Sequence, residues 1–322
     1  MSKHHTLSRT AERIYWLGRY LERAENTARI INVNANIMVD LPTRLPLGWR
    51  PLIEIMSAED EFEALFEVAN EKNVVRFMTS DRRNTGSVLS SLDSARENAR
   101  TVREMMPRVA FEYINDLYLF AKEGLAGHQS RSRTRATMEG VLARTQQIDG
   151  FLSRTMLHGD GWSFMRLGQF LERADMGTRI IDVRSRDLFE HTEVIEGYEL
   201  LQWRSILRSL HAMQAYRASV QDPVAEDLVL EFLFKNETLP RSIAYCLKSM
   251  RNSLRALPRN EKPLAQCNRQ LRSLKAADVG EFNGKKLHAF IDERQLDLAA
   301  LHDQIGKTYF YHRPRMRRTK QK

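Results

Sequence analysis

Strand signals are nearly absent from this 322-residue chain: alternating polar and apolar runs are few, and 15 glycines and 9 prolines are too few to punctuate a β-rich fold. Cysteine is just as scarce. Cys246 and Cys267 stand in helical contexts without a Cys-x-x-Cys spacing or neighbouring histidines, which argues against a disulfide framework, a zinc site or a redox pair. Buried thiols are the expectation for both. No apolar run approaches the roughly eighteen residues of a membrane span, and the start "MSKHHTLSRTAERIYW" lacks the apolar core of a signal peptide, so a cytoplasmic protein without membrane association is expected. Also missing are GxSxG, GxxxxGK[ST], a GxGxxG following a strand, and HExxH. The chain therefore offers no familiar nucleophile, nucleotide loop or metal motif, and neither a metal nor a cofactor is expected.

Charge of one sign is not lacking, but it is diluted. The 50 basic residues outnumber the 41 acidic ones, giving a net charge of +9, yet the two signs are interleaved almost everywhere. Only "HRPRMRRTKQK", residues 312–322, breaks the mixing, so much of the excess is assigned to a solvated basic tail and nucleic acid is not an expected partner.

Helical periodicity fills the space that the absences leave. Ile14, Leu17, Leu21, Ala24, Ala28, Ile31, Ala35 and Met38 recur at steps of three and four, the apolar seam of a long helix near 12–38. The same helix is written again near 162–188. "LGRYLERAENTARIINV" (Leu17 to Val33) and "LGQFLERADMGTRIIDV" (Leu167 to Val183) agree at ten of seventeen positions, and the second seam runs Phe164, Leu167, Leu171, Ala174, Thr178, Ile181, Ser185 and Leu188. A third helix carries Val88, Leu92, Ala95, Ala99, Val102 and Met106 up to Pro107. Further helices are expected through Gly124, over the segment before "HGDG", and near 197–219, 224–235, 241–256, 261–277 and 281–309, while Asp40 to Pro51 reads as a surface connection. One repeat spaced by 150 residues is no solenoid. It predicts an all-α fold: a single multi-helix bundle over residues 1–311 with an internal pseudo-two-fold duplication.

A charged stripe borders each seam. At 100° per residue, Glu22, Glu25 and Arg29 share one edge of the first helix, and Glu172, Asp175 and Arg179 repeat them with the sign of every charge preserved. Gly18 and Gly168 lie within the apolar arcs, and a glycine inside a helix, costing roughly 0.5–1 kcal/mol relative to alanine, implies a close approach to the backbone. By phase, Arg23 and Arg173 point away from the seams. On the third helix Arg96, Arg100 and Arg103 form a basic stripe complementary to the acidic ones. Three readings stand side by side. One is a purely structural ion network; another is a semi-buried network whose arginine forks hold a carboxylate or phosphate. The third is a di-metal site built on Glu22, Glu25, Glu172 and Asp175, against which stand the missing Glu-x-x-His and the competing Arg29 and Arg179. His158, in "LHGDGW", reads as a cap or turn residue. The segment "LPRSIAYCL" offers either a helix N-terminus for an anion, with Arg241 and Ser242, or a helix start at Pro240.

The segments "LSRTAERIYWLGRYLERAENTARII", "SARENARTVREMMPRVAFEYIN", "GWSFMRLGQFLERADMGTRIIDV" and "LPRSIAYCL" together resemble the bacterial alpha-E domain family, helical proteins with a recurring Glu-Arg motif. The resemblance implies association with peptide ligases of the ATP-grasp type and with transglutaminase-like proteins. Carried over by motif, its binding positions are Glu22, Arg23, Glu25 and Arg29, then Glu172, Arg173, Asp175 and Arg179, and finally Arg96, Glu97, Asn98 and Arg100. Two functions follow as expectations. The first is a non-catalytic helical binding or scaffold subunit of a peptide-synthesis or peptide-modification system, which recognises a peptide or anionic ligand, a ligase, or both. The alternative is an enzyme of the same system performing amide or phosphoryl chemistry at the Glu/Arg site.

Overall fold

The seam of α1 (Ser8–Asp40) runs unbroken because its 33 residues contain no proline and only one glycine, Gly18. In a computed structural model, which describes residues 8–40, 48–127, 130–190, 198–282 and 284–311, this helix forms the central rod of the molecule. Its first half of the chain continues through α2 (Arg50–Met56), α3 (Glu59–Glu63), α4 (Glu71–Thr79), α5 (Val88–Thr101), α6 (Arg108–Gly124) and α7 (Arg131–Thr155). The second opens with α8 (Asp160–Glu190) and continues through α9 (Tyr198–Ser209), α10 (Met213–Ser219), α11 (Glu226–Lys235), α12 (Ile243–Ala256), α13 (Glu261–Ala276) and α14 (Gly284–Ile305). The protein is all-α, with no strand among the described residues. Nor is any described helix long and apolar enough to cross a membrane.

The long helices α1 and α8 pack against each other, and the expected close approach lies at their two glycines. A methyl group on Gly18 would collide with the Met165 carbonyl oxygen, and one on Gly168 with that of Tyr15. Backbone meets backbone there, as only glycine allows. Outward from this contact, α5 and α7 cover α1 with α6 bridging them, while α12 and α14 cover α8 with α13 bridging in turn. Buried side chains from Ala11 to Phe310 join into one continuous apolar core.

The halves also correspond in local detail. Ser87 caps α5 by accepting the Ser90 amide, and Ser242 caps α12 by accepting that of Tyr245. Upstream, Asp81 accepts the Arg83 amide and Asn236 that of Thr238, two turns of the same kind before equivalent caps. These pairs are all 155 residues apart, and "SVLSSLDSARENAR" from Ser87 matches "SIAYCLKSMRNSLR" from Ser242 at Ser87/Ser242, Leu92/Leu247, Ser94/Ser249, Arg96/Arg251 and Arg100/Arg255.

Several expected boundaries shift. The helix expected at 197–219 is broken at Leu210–Ala212, where His211 takes a left-handed conformation (φ 51°) and its amide, with that of Ala212, closes back on Arg208 and Leu207. The helix expected at 281–309 is a 3-10 turn, then α14, then a π turn over Gly306–Phe310. α5 stops at Thr101, before Pro107, with a 3-10 turn between. α12 starts after its Ser242 cap and not at Pro240. Of the Asp40–Pro51 connection, Arg50 and Pro51 begin α2, and residues 41–47 lie outside the described residues, as does the basic tail 312–322. Short helices α2–α4 fill a stretch for which periodicity gave no assignment. Both cysteines are free and buried as expected.

Candidate functional site

Once α1 and α8 touch at their glycines, the next turn of each brings Glu22-Arg23 against Glu172-Arg173. Arg173 grips Glu22 with both prongs, Nε to Oε1 at 2.9 Å and Nη2 to Oε2 at 2.7 Å. Arg23 grips Glu172 in the same way, at 2.5 and 3.1 Å. The pairing is reciprocal: each Glu-Arg dipeptide supplies the acid for one bridge and the base for the other. Arg23 and Arg173 therefore face the partner helix, contrary to the expectation from phase. The reason is that α1 is buried nearly all round through its middle, where Thr27 and Arg29 are as inaccessible as Ala24 and Ala28. A single apolar arc does not describe such a helix.

Each glutamate receives a second guanidinium. Arg19 donates Nε to Glu172 at 2.7 Å, and Arg241, from the loop before α12, reaches Glu22 at 3.4 Å and Glu25 at 2.7 Å. Arg29 bonds Glu25 along its own helix, and the Asn26 side-chain oxygen accepts from both Arg29 (2.6 Å) and Arg241 (3.1 Å). Asp175 pairs with Arg179 at 3.1 Å, and Arg179 also bonds the Ser57 hydroxyl. The Glu22 and Glu172 side chains are 0% and 2% exposed, which makes the pairing obligatory.

The electrostatics follow from that burial. Desolvation pushes the Glu172 carboxyl up, but Arg19 and Arg23 outweigh it and hold it down at about 2. Glu22 is lowered in the same manner against desolvation, by Arg173 and then Arg241. Arg29 goes the other way: burial first, then the charge of Arg241, bring it down to about 9 despite Glu25 and Glu22. Three guanidiniums (Arg29, Arg173, Arg241) thus share two carboxylates (Glu22, Glu25), leaving a cationic surplus. His211 stands in that field, and burial followed by Arg29 and Arg241 lowers it to about 4.

The arginine stripe on α5 joins a different neighbourhood. Arg96 donates to Asn115 at 2.8 Å and lies over the Tyr118 ring, Arg100 pairs with Glu97 at 2.8 Å, and Arg103 stacks on Phe111. Asn98 accepts from Arg13 at 3.0 Å. The expected match between basic α5 and the acidic stripes is not made, because those stripes are engaged by Arg19, Arg23, Arg29, Arg173, Arg179 and Arg241. The same engagement answers the di-metal reading, since all four of its carboxylates are held by arginine. A different group, Asp182, His288 and Asp292, gathers three ligand atoms within 4.8 Å; there the His288 Nδ1 lies 2.6 Å from Asp182 and Nε2 3.5 Å from Asp292. An imidazole bridging two carboxylates describes it without an ion. His158 bonds the Ser153 carbonyl at 3.1 Å and stacks on Trp162, the turn role expected of it.

Sequence reasoning missed Arg19, His211 and the Tyr15–His302 hydrogen bond (2.7 Å) beside Arg19. Arg241 was noticed for an anion at a helix start, whereas it binds Glu22, Glu25 and Asn26.

The molecule is thus an all-helical protein whose two central helices are cross-bridged by paired Glu-Arg dipeptides. The chain belongs to the Alpha-E family, described as a predicted alpha-helical domain with a conserved ER motif, whose model matches residues 6–310. Glu-Arg occurs at 12–13, 22–23, 172–173 and 293–294, and the two middle copies are the ones that bridge each other. The chain is 22% identical over 319 residues to uncharacterized proteins of Mycobacterium bovis and Mycobacterium tuberculosis. That match covers 91% of this chain and 35% of each relative, so the chain spans about a third of their length. No solved structure matches.

Proposed function

We propose that this protein is a non-catalytic helical binding subunit of a peptide-synthesis or peptide-modification system, which docks an ATP-grasp type ligase and presents a peptide or other anionic ligand to it. A transglutaminase-like protein belongs to the same proposed system. The observation that carries the reading is the reciprocal Glu-Arg bridge. Glu22 and Glu172 are each gripped by two arginines and held ionised, so they serve as a clamp between helices and not as a general acid or a nucleophile. The relatives are about three times as long as the region they share with this chain, which is what one expects if that region works beside a further segment. Arg96, Glu97 and Arg100 remain on the α5 surface, partly or well exposed, where they suit docking better than ligand capture. A cytoplasmic location supplies the ATP such a ligase needs. We further propose that the two halves arose by internal duplication, which the matching order of α1–α7 and α8–α14 supports.

Purified chain is to be mixed with an ATP-grasp ligase from the same organism and analysed by size exclusion and ATP turnover. The reading expects a stable complex and no ATP hydrolysis by the chain alone. Hydrolysis or ligation by the chain alone, lost in Glu22→Gln, would replace it with the enzyme reading.

A further inference from the structure

Beside the cationic end of the Glu22 cluster lies an open cavity of about 770 Å³, within the range of small-molecule sites. Val33 and Asn36 of α1, Arg135 of α7, and Arg208, His211 and Gln214 at the α9–α10 corner line it, with Met213 adding an apolar side chain. In a protein where acids and bases alternate nearly everywhere, no carboxylate lines this cavity among the described residues. Arg135 forms an exposed i,i+4 ion pair with Glu139, its Nε donating at 2.9 Å.

Behind the wall the field has the same sign. Arg29 and Arg241 crowd Glu25 and Asn26, and His211 feels both arginines. The fold does not demand a histidine there. The equivalent corner, at the end of α2, is made by Ser57 with φ 48°, against 51° for His211, and the same pair of closing amide bonds. A non-glycine residue seldom takes that conformation, and such positions cluster at binding sites. Ser57 uses its side chain to bond Arg179, whereas His211 places an exposed ring on the cavity lining. The halves diverge at one more point: Arg241 replaces Gly86 in the equivalent loop. Both differences add cationic or proton-donating groups on the side that has the cavity.

We infer that this cavity binds the free carboxylate end of a short peptide. Arg135 and Arg208 supply the positive charge, and the neutral His211 ring supplies a hydrogen-bond donor for the carboxylate. Asn36 and Gln214 offer amides that pair with peptide groups, and Val33 and Met213 receive an apolar side chain. The inference rests on the proposed function for the nature of the ligand but not for the existence of the site.

The test uses the full chain with labelled histidine side chains, tetra-alanine with a free C-terminus, its C-terminal amide, and inorganic phosphate, followed by NMR of the His211 ring. The resonance is assigned with His211→Gly, which suits the left-handed backbone. The free-acid peptide is expected to shift the His211 signal and raise its titration midpoint, with affinity at least about tenfold above the amide. Arg135→Gln is expected to weaken the free acid by a similar factor while leaving the helical circular dichroism unchanged. Equal binding of acid and amide overturns the inference. So does binding of phosphate alone, or an unmoved His211 signal at millimolar peptide. A chain that docks a ligase yet leaves His211 unmoved loses this site and keeps the proposed function; one that binds the peptide but docks no ligase does the reverse.

Discussion

Glu22 and Glu172 occupy equivalent places on α1 and α8, and each is held by two arginines, but the second arginine comes from different parts of the chain. Glu172 takes both from α1, where Arg19 and Arg23 sit one turn apart. Glu22 takes Arg173 from α8, and then Arg241 from a loop 219 residues away. The difference begins at one position. Where α1 has Arg19, α8 has Gln169, which turns instead to Arg166 and Asp149. The second guanidinium on Glu22 comes from Arg241, which stands 155 residues after Gly86. A buried carboxylate needs its charge balanced, but which element does so is open to change. On the Glu22 side Arg241 also ties the α11–α12 loop to α1 and stands against Arg29.

The sharpest way to break this equivalence is to neutralise one acid at a time. Glu172→Gln and Glu22→Gln are each expected to cost about 3–5 kcal/mol in denaturant unfolding, because the first takes the carboxylate from Arg19 and Arg23 and the second takes it from Arg173, while Arg241 keeps Glu25. A loss below about 1 kcal/mol would mean that water reaches the arginines and the bridge is not a clamp. Next in size are the glycines. Gly168→Ala and Gly18→Ala press a methyl onto a backbone carbonyl, and each is expected to cost about 1–3 kcal/mol by separating α1 from α8. Gly150→Ala, whose Cβ would meet nothing within 4 Å, is the control and should be neutral or stabilising.

Acid should separate the two sides by pH. Glu172 lies at about 2, well below an unfolded carboxyl near 4.5, so its contribution is present above 4.5 and is lost as pH falls through about 2. His211 lies at about 4, below its ordinary 6.5, so the unfolded chain takes up the proton first and stability falls between pH 6.5 and 4. His211→Gly should flatten the upper window alone, measured by urea midpoints across pH; an unchanged slope there assigns it to His302, which burial also lowers. The smallest effect is expected on α5. Arg100→Ala breaks only an exposed pair with Glu97 and should change stability by less than about 0.5 kcal/mol, while weakening ligase docking in a salt-sensitive way.

Much of this was legible before the fold was seen, and the limits have physical causes. The glycines announced a close helix crossing, and the repeat placed like charges at like positions. What misled was the assumption of one apolar face. Thr27, Arg29 and Asn34 are buried although polar, so the phase of Arg23 said nothing about its partner. Arg241 sits in a loop, where no periodicity marks it. The available signal was the weaker second repeat, Ser87 with Ser242, which aligns Arg241 with Gly86 and exposes the one added charge. His211 was hidden inside a segment that looks helical throughout, because a left-handed stop made without glycine leaves no trace in the pattern.

The Glu-Arg dipeptides bridge each other across α1 and α8, and a double-mutant cycle on Glu22→Gln and Arg173→Met in equilibrium unfolding measures that bridge. A coupling of about 1–3 kcal/mol is expected, with the double variant more stable than the sum of the singles allows. Additivity within about 0.5 kcal/mol would contradict it, since residues that do not touch are expected to behave that way.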